Sequence, residues 1–237
     1  MKKLTVCLVL YMLVSSFAFS SPESWLSFGY EFGFYADEYK SQGVASETLI
    51  ISDGLYISSY SFLTERVGIF AHGSFSFPRD IWVITNGGLS RMDLDNSPLN
   101  TSIGIIMGIS FRVDFTEDFL SYFGLGFNIV SSMYMYDGLG LSYYGVDTTS
   151  LGFAGDIGLK LDMSDRFFLR IGSIINIDFA RHRIEETYSG RNLIREVKGW
   201  DREFVMLGFR PYIGVGLNIH YRLVDGRYRM ATGRSQR

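Results

Sequence analysis

A chain of 237 residues with a formal net charge of −3 is a poor match for nucleic acid, whose phosphates demand concentrated Lys and Arg. Its 47% hydrophobic content, with 16% aromatic residues, 26 glycines and only 4 prolines, suits β-strands rather than long apolar membrane helices. The single cysteine, Cys7, falls in the first apolar stretch, so the remaining chain offers no disulfide, thiolate nucleophile or cysteine metal site.

The N-terminus runs Met1-Lys2-Lys3, then an apolar stretch from Leu4 to Val14, then Ser15-Ser16-Phe17-Ala18-Phe19-Ser20. A basic start, a short apolar core and a small-x-small exit are the parts of a cleavable secretory signal. The core is shorter than the roughly 20 residues of a spanning helix. The pattern predicts a signal over 1–20, with Ala18 and Ser20 in the small positions. Loss of Lys2 and Lys3 with it moves the net charge from −3 to −5.

Behind the signal, apolar and polar residues alternate with period 2 in eight runs. Strand one, about 25–35, sets Leu26, Phe28, Tyr30, Phe32 and Phe34 against Ser27, Gly29, Glu31 and Gly33. Strand two, about 49–62, is the weakest, because Asp53 breaks its apolar face. Strand three, about 66–77, sets Val67, Ile69, Ala71, Phe75 and Phe77 against Gly68, Phe70, His72, Ser74 and Ser76. Strand four, about 102–115, is nearly ideal, with Ile103, Ile105, Met107, Ile109, Phe111 and Val113 on one face. Strand five carries Phe123, Leu125, Phe127 and Ile129; strand six Leu151, Phe153, Ile157 and Leu159; strand seven Phe167, Leu169, Ile171, Ile175 and Ile177. In strand eight, Phe209, Ile213, Val215, Leu217, Ile219 and Tyr221 alternate with Arg210, Tyr212, Gly214, Gly216, Asn218, His220 and Arg222.

Each run reaches the roughly 9–11 residues that a tilted strand needs to cross a bilayer. A soluble sandwich would alternate too, but the connections differ. Short turns at Leu63-Thr64-Glu65, Thr116-Glu117-Asp118 and Ser164-Asp165 alternate with long connections over 37–48, 78–101, 136–149 and 180–203. That asymmetry predicts an all-β fold, an eight-stranded antiparallel transmembrane β-barrel with four long extracellular loops and three short periplasmic turns. The barrel would occupy 21–224, with a basic periplasmic tail over 225–237. An open sheet edge in lipid would strand backbone polar groups, so strands one and eight are expected to pair. Aromatic girdles are expected at Phe119, Tyr122, Phe123, Phe167 and Phe168 on the turn side, and at Phe75, Phe77, Tyr134 and Tyr136 on the loop side.

An eight-stranded bore is just wide enough for side chains to fill. The inward parity carries Glu31, Arg112, Asp114, Asp156, Lys160 and Asp162, followed by Arg170, Asp178, Arg210 and His220, interleaved with glycines. Both signs occur in similar numbers, so paired charges are expected. A closed plug of salt bridges and a narrow polar conduit both fit this lining, and the bore favours the plug.

Candidate catalytic groups are sparse. His72-Gly73-Ser74 is similar to the His-x-Ser pair of outer-membrane lipid A deacylases, but both side chains take the inward parity and no Glu is evident to orient the imidazole. They read as core residues, and no enzyme activity is expected. His182 and His220 lack ligand-spaced partners, and Asp93, Asp95 and Asn96 lack the glycine and closing glutamate of a calcium loop. No metal or other cofactor is expected.

Two surface features stand out. Ile81, Trp82, Val83 and Ile84 form an apolar patch that would cover the barrel mouth or bind something hydrophobic. The segment 181–203 interleaves acidic and basic residues around Tyr188, Arg191, Arg195 and Trp200, a candidate surface-binding loop, and its alternation of Ile184, Leu193, Ile194 and Val197 predicts a hairpin beyond the membrane.

The whole pattern over 25–224 resembles the small eight-stranded outer-membrane barrels, the OmpW/OprG-like group most closely. Arg210-Pro211-Tyr212-Ile213-Gly214-Val215-Gly216-Leu217-Asn218-Ile219-His220-Tyr221-Arg222-Leu223 is similar to that group's closing strand. Two departures are Leu223 in place of the usual terminal Phe and the basic tail beyond it, and the composition resembles that of spirochaete outer-membrane proteins. The resemblance implies passive uptake of small, largely hydrophobic molecules through a side opening in the barrel wall. The alternative is a surface-exposed adhesin or host-factor-binding protein whose barrel displays its loops. Expected partners are outer-membrane lipid and small hydrophobic solutes, or host extracellular components on the second reading.

Overall fold

A computed structural model describes residues 23–41, 44–85, 88–92, 100–137, 142–189, 192–201, 204–224 and 227–230. The expected signal, the acidic cluster at Asp93, Asp95 and Asn96, and Arg191 lie outside them. The side chains of Tyr188, Arg195 and His220 are likewise outside, although their backbones lie in strands.

Eight strands form a closed ring: β1 (Glu23–Ser41), β2 (Val44–Phe62), β3 (Val67–Thr85), β5 (Thr101–Asp114), β6 (Phe119–Asp137), β7 (Ser142–Asp162), β8 (Phe167–Ser189) and β10 (Val205–Val224). All ring pairings are antiparallel, and β10 closes the circle by pairing with both β1 and β8. Three short strands extend the ring without joining it: β4 (Gly88–Met92) on β3, β9 (Asn192–Asp201) on β8, and β11 (Arg227–Met230) on β10. Closure satisfies the ladder groups of both would-be edges, which lipid could not do.

The alternating face prediction holds along most of the ring, although Ala71 and Ile105, expected to face outward, are buried. In β10, Val205, Leu207, Phe209, Ile213, Val215 and Leu217 are exposed outward, whereas Met206, Arg210 and Tyr212 are buried inside. An outward band of this kind belongs in hydrocarbon, where its exposure costs nothing.

Four-residue turns at Leu63–Arg66, Phe115–Asp118 and Met163–Arg166 join strands at one end. At the other end the expected loops are largely strand: β1 runs to Ser41 before β2 begins at Val44, and β6 runs to Asp137 before β7 begins at Ser142. β8 and β9 pair as a hairpin with a bulge between Thr187 and Tyr188. Hairpins extend here because each pair of strands keeps its ladder after the ring has ended.

The expected girdles need correction. Tyr122 and Phe168 point inward and are fully buried, and Tyr134 packs on the interior cluster near the mouth. The outward turn-side aromatics are Phe119, tilted against Phe115 with ring centroids 5.4 Å apart, with Phe123 and Phe167. A residue near a strand end joins a girdle only if its parity is outward, and Tyr122 and Phe168 have the inward parity.

Candidate functional site

Aromatic rings fill the turn-side half of the bore. Trp25, Tyr60, Phe62, Phe70, Tyr122 and Phe168 form one buried cluster, with Trp25 and Phe62 centroids 4.7 Å apart and Tyr60 and Phe70 at 5.4 Å. Glycines make room for them: a Cβ on Gly124 would lie 2.7 Å from the Phe70 ring. Below the cluster, Arg112 Nη1 donates to Glu23 at 2.6 Å and its Nε to the Glu65 carbonyl at 2.6 Å. Asp114, half exposed, lies 3.6 Å from Arg112 Nε. Lys160 donates to Asp162 at 2.6 Å and lies 4.8 Å from the centroids of both Trp25 and Phe168.

Above the cluster Arg170 spans the bore. Its Nη2 donates to Asp156 Oδ2 at 2.6 Å and to the Tyr212 hydroxyl at 2.8 Å, and its Nε donates to the Tyr122 hydroxyl at 2.5 Å. Its Nη1 donates to Ser27 at 3.1 Å and also to Ser58. Asp156 accepts from the Tyr212 hydroxyl at 2.5 Å and from the Tyr60 hydroxyl. A buried ion pair is tolerated when further hydrogen bonds saturate both partners, and that condition is met here. Together the aromatic cluster and this clamp block the axis.

The next level up is polar and less saturated. Glu31 Oε2 lies 3.2 Å from His72 Nε2, and its Oε1 lies 3.8 Å from Arg210 Nη1. Arg210 Nη1 donates to Ser74 at 3.1 Å, and the His72 ring stacks on Tyr56 at 5.0 Å. Asp178 accepts from Asn128 at 2.7 Å and from Ser150 at 2.8 Å. Among the described residues, Arg210 Nε and Nη2, His72 Nδ1 and the amide oxygens of Asn128 and Asn176 are buried without a hydrogen-bond partner. Glu31 therefore stands where an orienting carboxylate for His72 was not expected from the sequence. β1 and β3 both pair with β2, and their inward side chains meet over that strand, which residue spacing does not reveal. The His72–Ser74 pair is fully enclosed, away from the outward face that acyl chains reach.

The mouth at the hairpin end is apolar. Tyr35, Ile50, Ile81, Phe204 and Met206 form a second buried cluster, with Val83 and Tyr134 packed against it. Arg181 pairs with Asp37 and its guanidinium carbon lies 4.0 Å over the Phe204 ring. The predicted patch splits by parity: Ile81 and Val83 turn inward to cover the mouth, while Ile84 is exposed and Trp82 faces Arg91 at 5.9 Å. Trp200 of β9 is exposed and meets the His182 ring edge-on at 5.3 Å. Besides the charged lining, the structure brings in Tyr56 and Tyr60 of β2, whose inward position follows from period-2 parity although Asp53 interrupts the apolar face opposite.

No known family model matches the chain, and no curated protein sequence does. Among solved structures, the outer membrane protein OprG of Pseudomonas aeruginosa aligns with a TM-score of 0.55 at 11% identity, over 84% of this chain and 97% of that one. The outer membrane protein AlkL, solved in DMPC lipid bilayers, aligns with a TM-score of 0.50 at 14% identity, over 84% of this chain and 91% of its own. At such identities the likeness is one of fold alone, and that fold is the small outer-membrane barrel expected from the alternating strands.

Proposed function

We propose that the protein is a passive conduit of the outer membrane that takes small hydrophobic molecules in at its mouth and releases them sideways into lipid. The single observation carrying this reading is in the closing seam. The β1–β10 ladder passes from Glu31↔Tyr212 to Phe34↔Phe209, leaving Phe32 and Gly33 unpaired on that side opposite Pro211 and Arg210. Proline has no N–H to give a ladder, so the wall is short of hydrogen bonds there.

The position of this shortfall matters. It lies above the Arg170 clamp, beside the under-saturated Arg210 level and below the apolar mouth cluster. A solute entering among Tyr35, Ile50, Ile81 and Met206 meets a blocked axis below and a side wall short of hydrogen bonds beside it. Glu31, Asp178 and Arg210 would then line the passage, whereas Arg112, Asp114, Asp156, Lys160, Asp162 and Arg170 would close its floor. In this orientation the hairpins face outside and both chain ends the periplasm.

The test is a cross-link across the seam. Phe32→Cys with Pro211→Cys, oxidised in refolded protein, should abolish uptake of a fluorescent long-chain apolar probe into proteoliposomes, and reduction should restore it. Unchanged uptake in the cross-linked form would sink the side passage.

A second reading, display of a binding surface, is supported by β9. It pairs with β8 alone among the described strands, and it exposes Leu193, Val197 and Trp200; Tyr188, Arg191 and Arg195 neighbour them in sequence. Exposed strand edges are templates for partner binding. Deleting 190–201 should abolish cell attachment on this reading and leave probe uptake intact on the first.

A further inference from the structure

Asp53, the residue that breaks the outward apolar face of β2, is explained neither by the fold nor by the passage. Arg79 Nη1 of the neighbouring strand lies 3.2 Å from its Oδ2. Arg79 is the extra residue of a bulge, where β2 partners pass from Ser52↔Pro78 to Ile51↔Asp80. A bulge re-aims the side chain it inserts. Beside it Asp80 accepts from Arg91 Nη2, and Arg91 lies over Trp82.

These residues share the outward face of β2–β3–β4 on neighbouring rungs, Asp53 opposite Phe77, Asp80 opposite Ile51 and Arg91 opposite Trp82. Directly toward the turn end, the same face shows Leu55 and Phe75, both exposed, and Phe28 beyond them. The cluster therefore stands where the apolar band gives way to headgroups. Exposed ion pairs in water contribute almost nothing, and ionisable groups facing hydrocarbon are costly unless something engages them. The guanidiniums are the open members, 59% exposed for Arg79 and 55% for Arg91, against 25% for Asp53 and 29% for Asp80.

Two cations alternate with two anions, so the patch carries no net charge and does not favour an anionic lipid. It matches a headgroup that carries both signs. Each guanidinium uses one nitrogen on its carboxylate among the described residues and presents the rest of its fork to a phosphate. The carboxylates only accept hydrogen bonds, so the cationic part of the headgroup must donate. A primary ammonium has three N–H donors and a quaternary one has none.

We propose that this face holds the headgroup of a phosphoethanolamine lipid, with the phosphate on Arg79 and Arg91 and the ammonium on Asp53 and Asp80. Trp82 and Tyr30 flank it at the boundary with the hydrocarbon, as amphipathic rings do. The site borders the side passage, since Asp53 is the β2 ladder partner of Phe32, but lipid retention at it is read separately from solute uptake.

The test uses the refolded full chain in phosphatidylcholine bilayers with lipids spin-labelled on the acyl chain. Phosphatidylethanolamine should be held at the protein surface about threefold more strongly than phosphatidylcholine or phosphatidylglycerol, the factor for one or two exposed charged contacts. The double variant Asp53→Asn/Arg79→Gln should remove the preference while keeping the heat-modifiable mobility of the folded barrel. If that variant does not fold, Asp80→Asn/Arg91→Gln at the rim supplies the same reading. Equal retention of the three lipids, a preference for phosphatidylglycerol, or a preference surviving in the folded variants would each overturn the site.

Discussion

The Arg170 guanidinium and the Asp156 carboxylate, 2.6 Å apart and both essentially inaccessible, form an ion pair on the axis of the barrel. Three tyrosine hydroxyls and two serines complete it, from strands all around the ring. Removing one member leaves the other charged and uncompensated. Arg170→Met should therefore cost about 3–5 kcal/mol of stability in urea titrations in lipid vesicles. Arg170→Lys should rescue little, because an ammonium lacks the planar fork that reaches Tyr122, Asp156 and Ser27 together. A near-neutral Arg170→Met would show that the clamp is not formed.

Gly124 faces Phe70 so closely that an added methyl has nowhere to go. Gly124→Ala should destabilise the barrel by about 1–3 kcal/mol through overpacking. Phe70→Leu in the same chain should recover part of the loss, and additivity of the two changes would count against contact between them.

Ile213 is outward and half exposed in the middle of β10. Ile213→Arg should cost about 2–4 kcal/mol if it faces the bilayer midplane. The penalty should vanish when the same variant is unfolded from detergent micelles rich enough in water to solvate the guanidinium. Neutrality in bilayers would mean that this face does not meet lipid.

Orientation is open to direct observation. With hairpins outside, trypsin added to intact cells should cut at exposed Lys198 and spare the turn at Leu63–Arg66. An antibody to the basic tail should label only permeabilised cells, since an even number of crossings returns both ends to one side. Labelling of intact cells would invert the assignment.

Much of this molecule was legible before any coordinate. Period-2 alternation is a property of the extended backbone, so parity assigns each residue of β10 to lipid or lumen, from Phe209 through Leu217. Parity also explains why Ile81 and Val83 part from Trp82 and Ile84. The short breaks between alternating runs placed three connections at one end of the strands. Extended hairpins were less visible, because β1 beyond Tyr35 and β7 before Ser150 carry mixed polar residues with no hydrocarbon to enforce a pattern.

What the chain alone determined is therefore which face each side chain takes and how many times the chain crosses. What only the tertiary structure decided is which inward side chains meet. Ser27 and Arg170 are 143 residues apart and Glu31 and His72 are 41 apart, yet both pairs touch inside the bore. Their meeting depends on the stagger of every ladder between them and on where the ring closes. That stagger is set by pairing around the whole circumference, so no local stretch of residues records it.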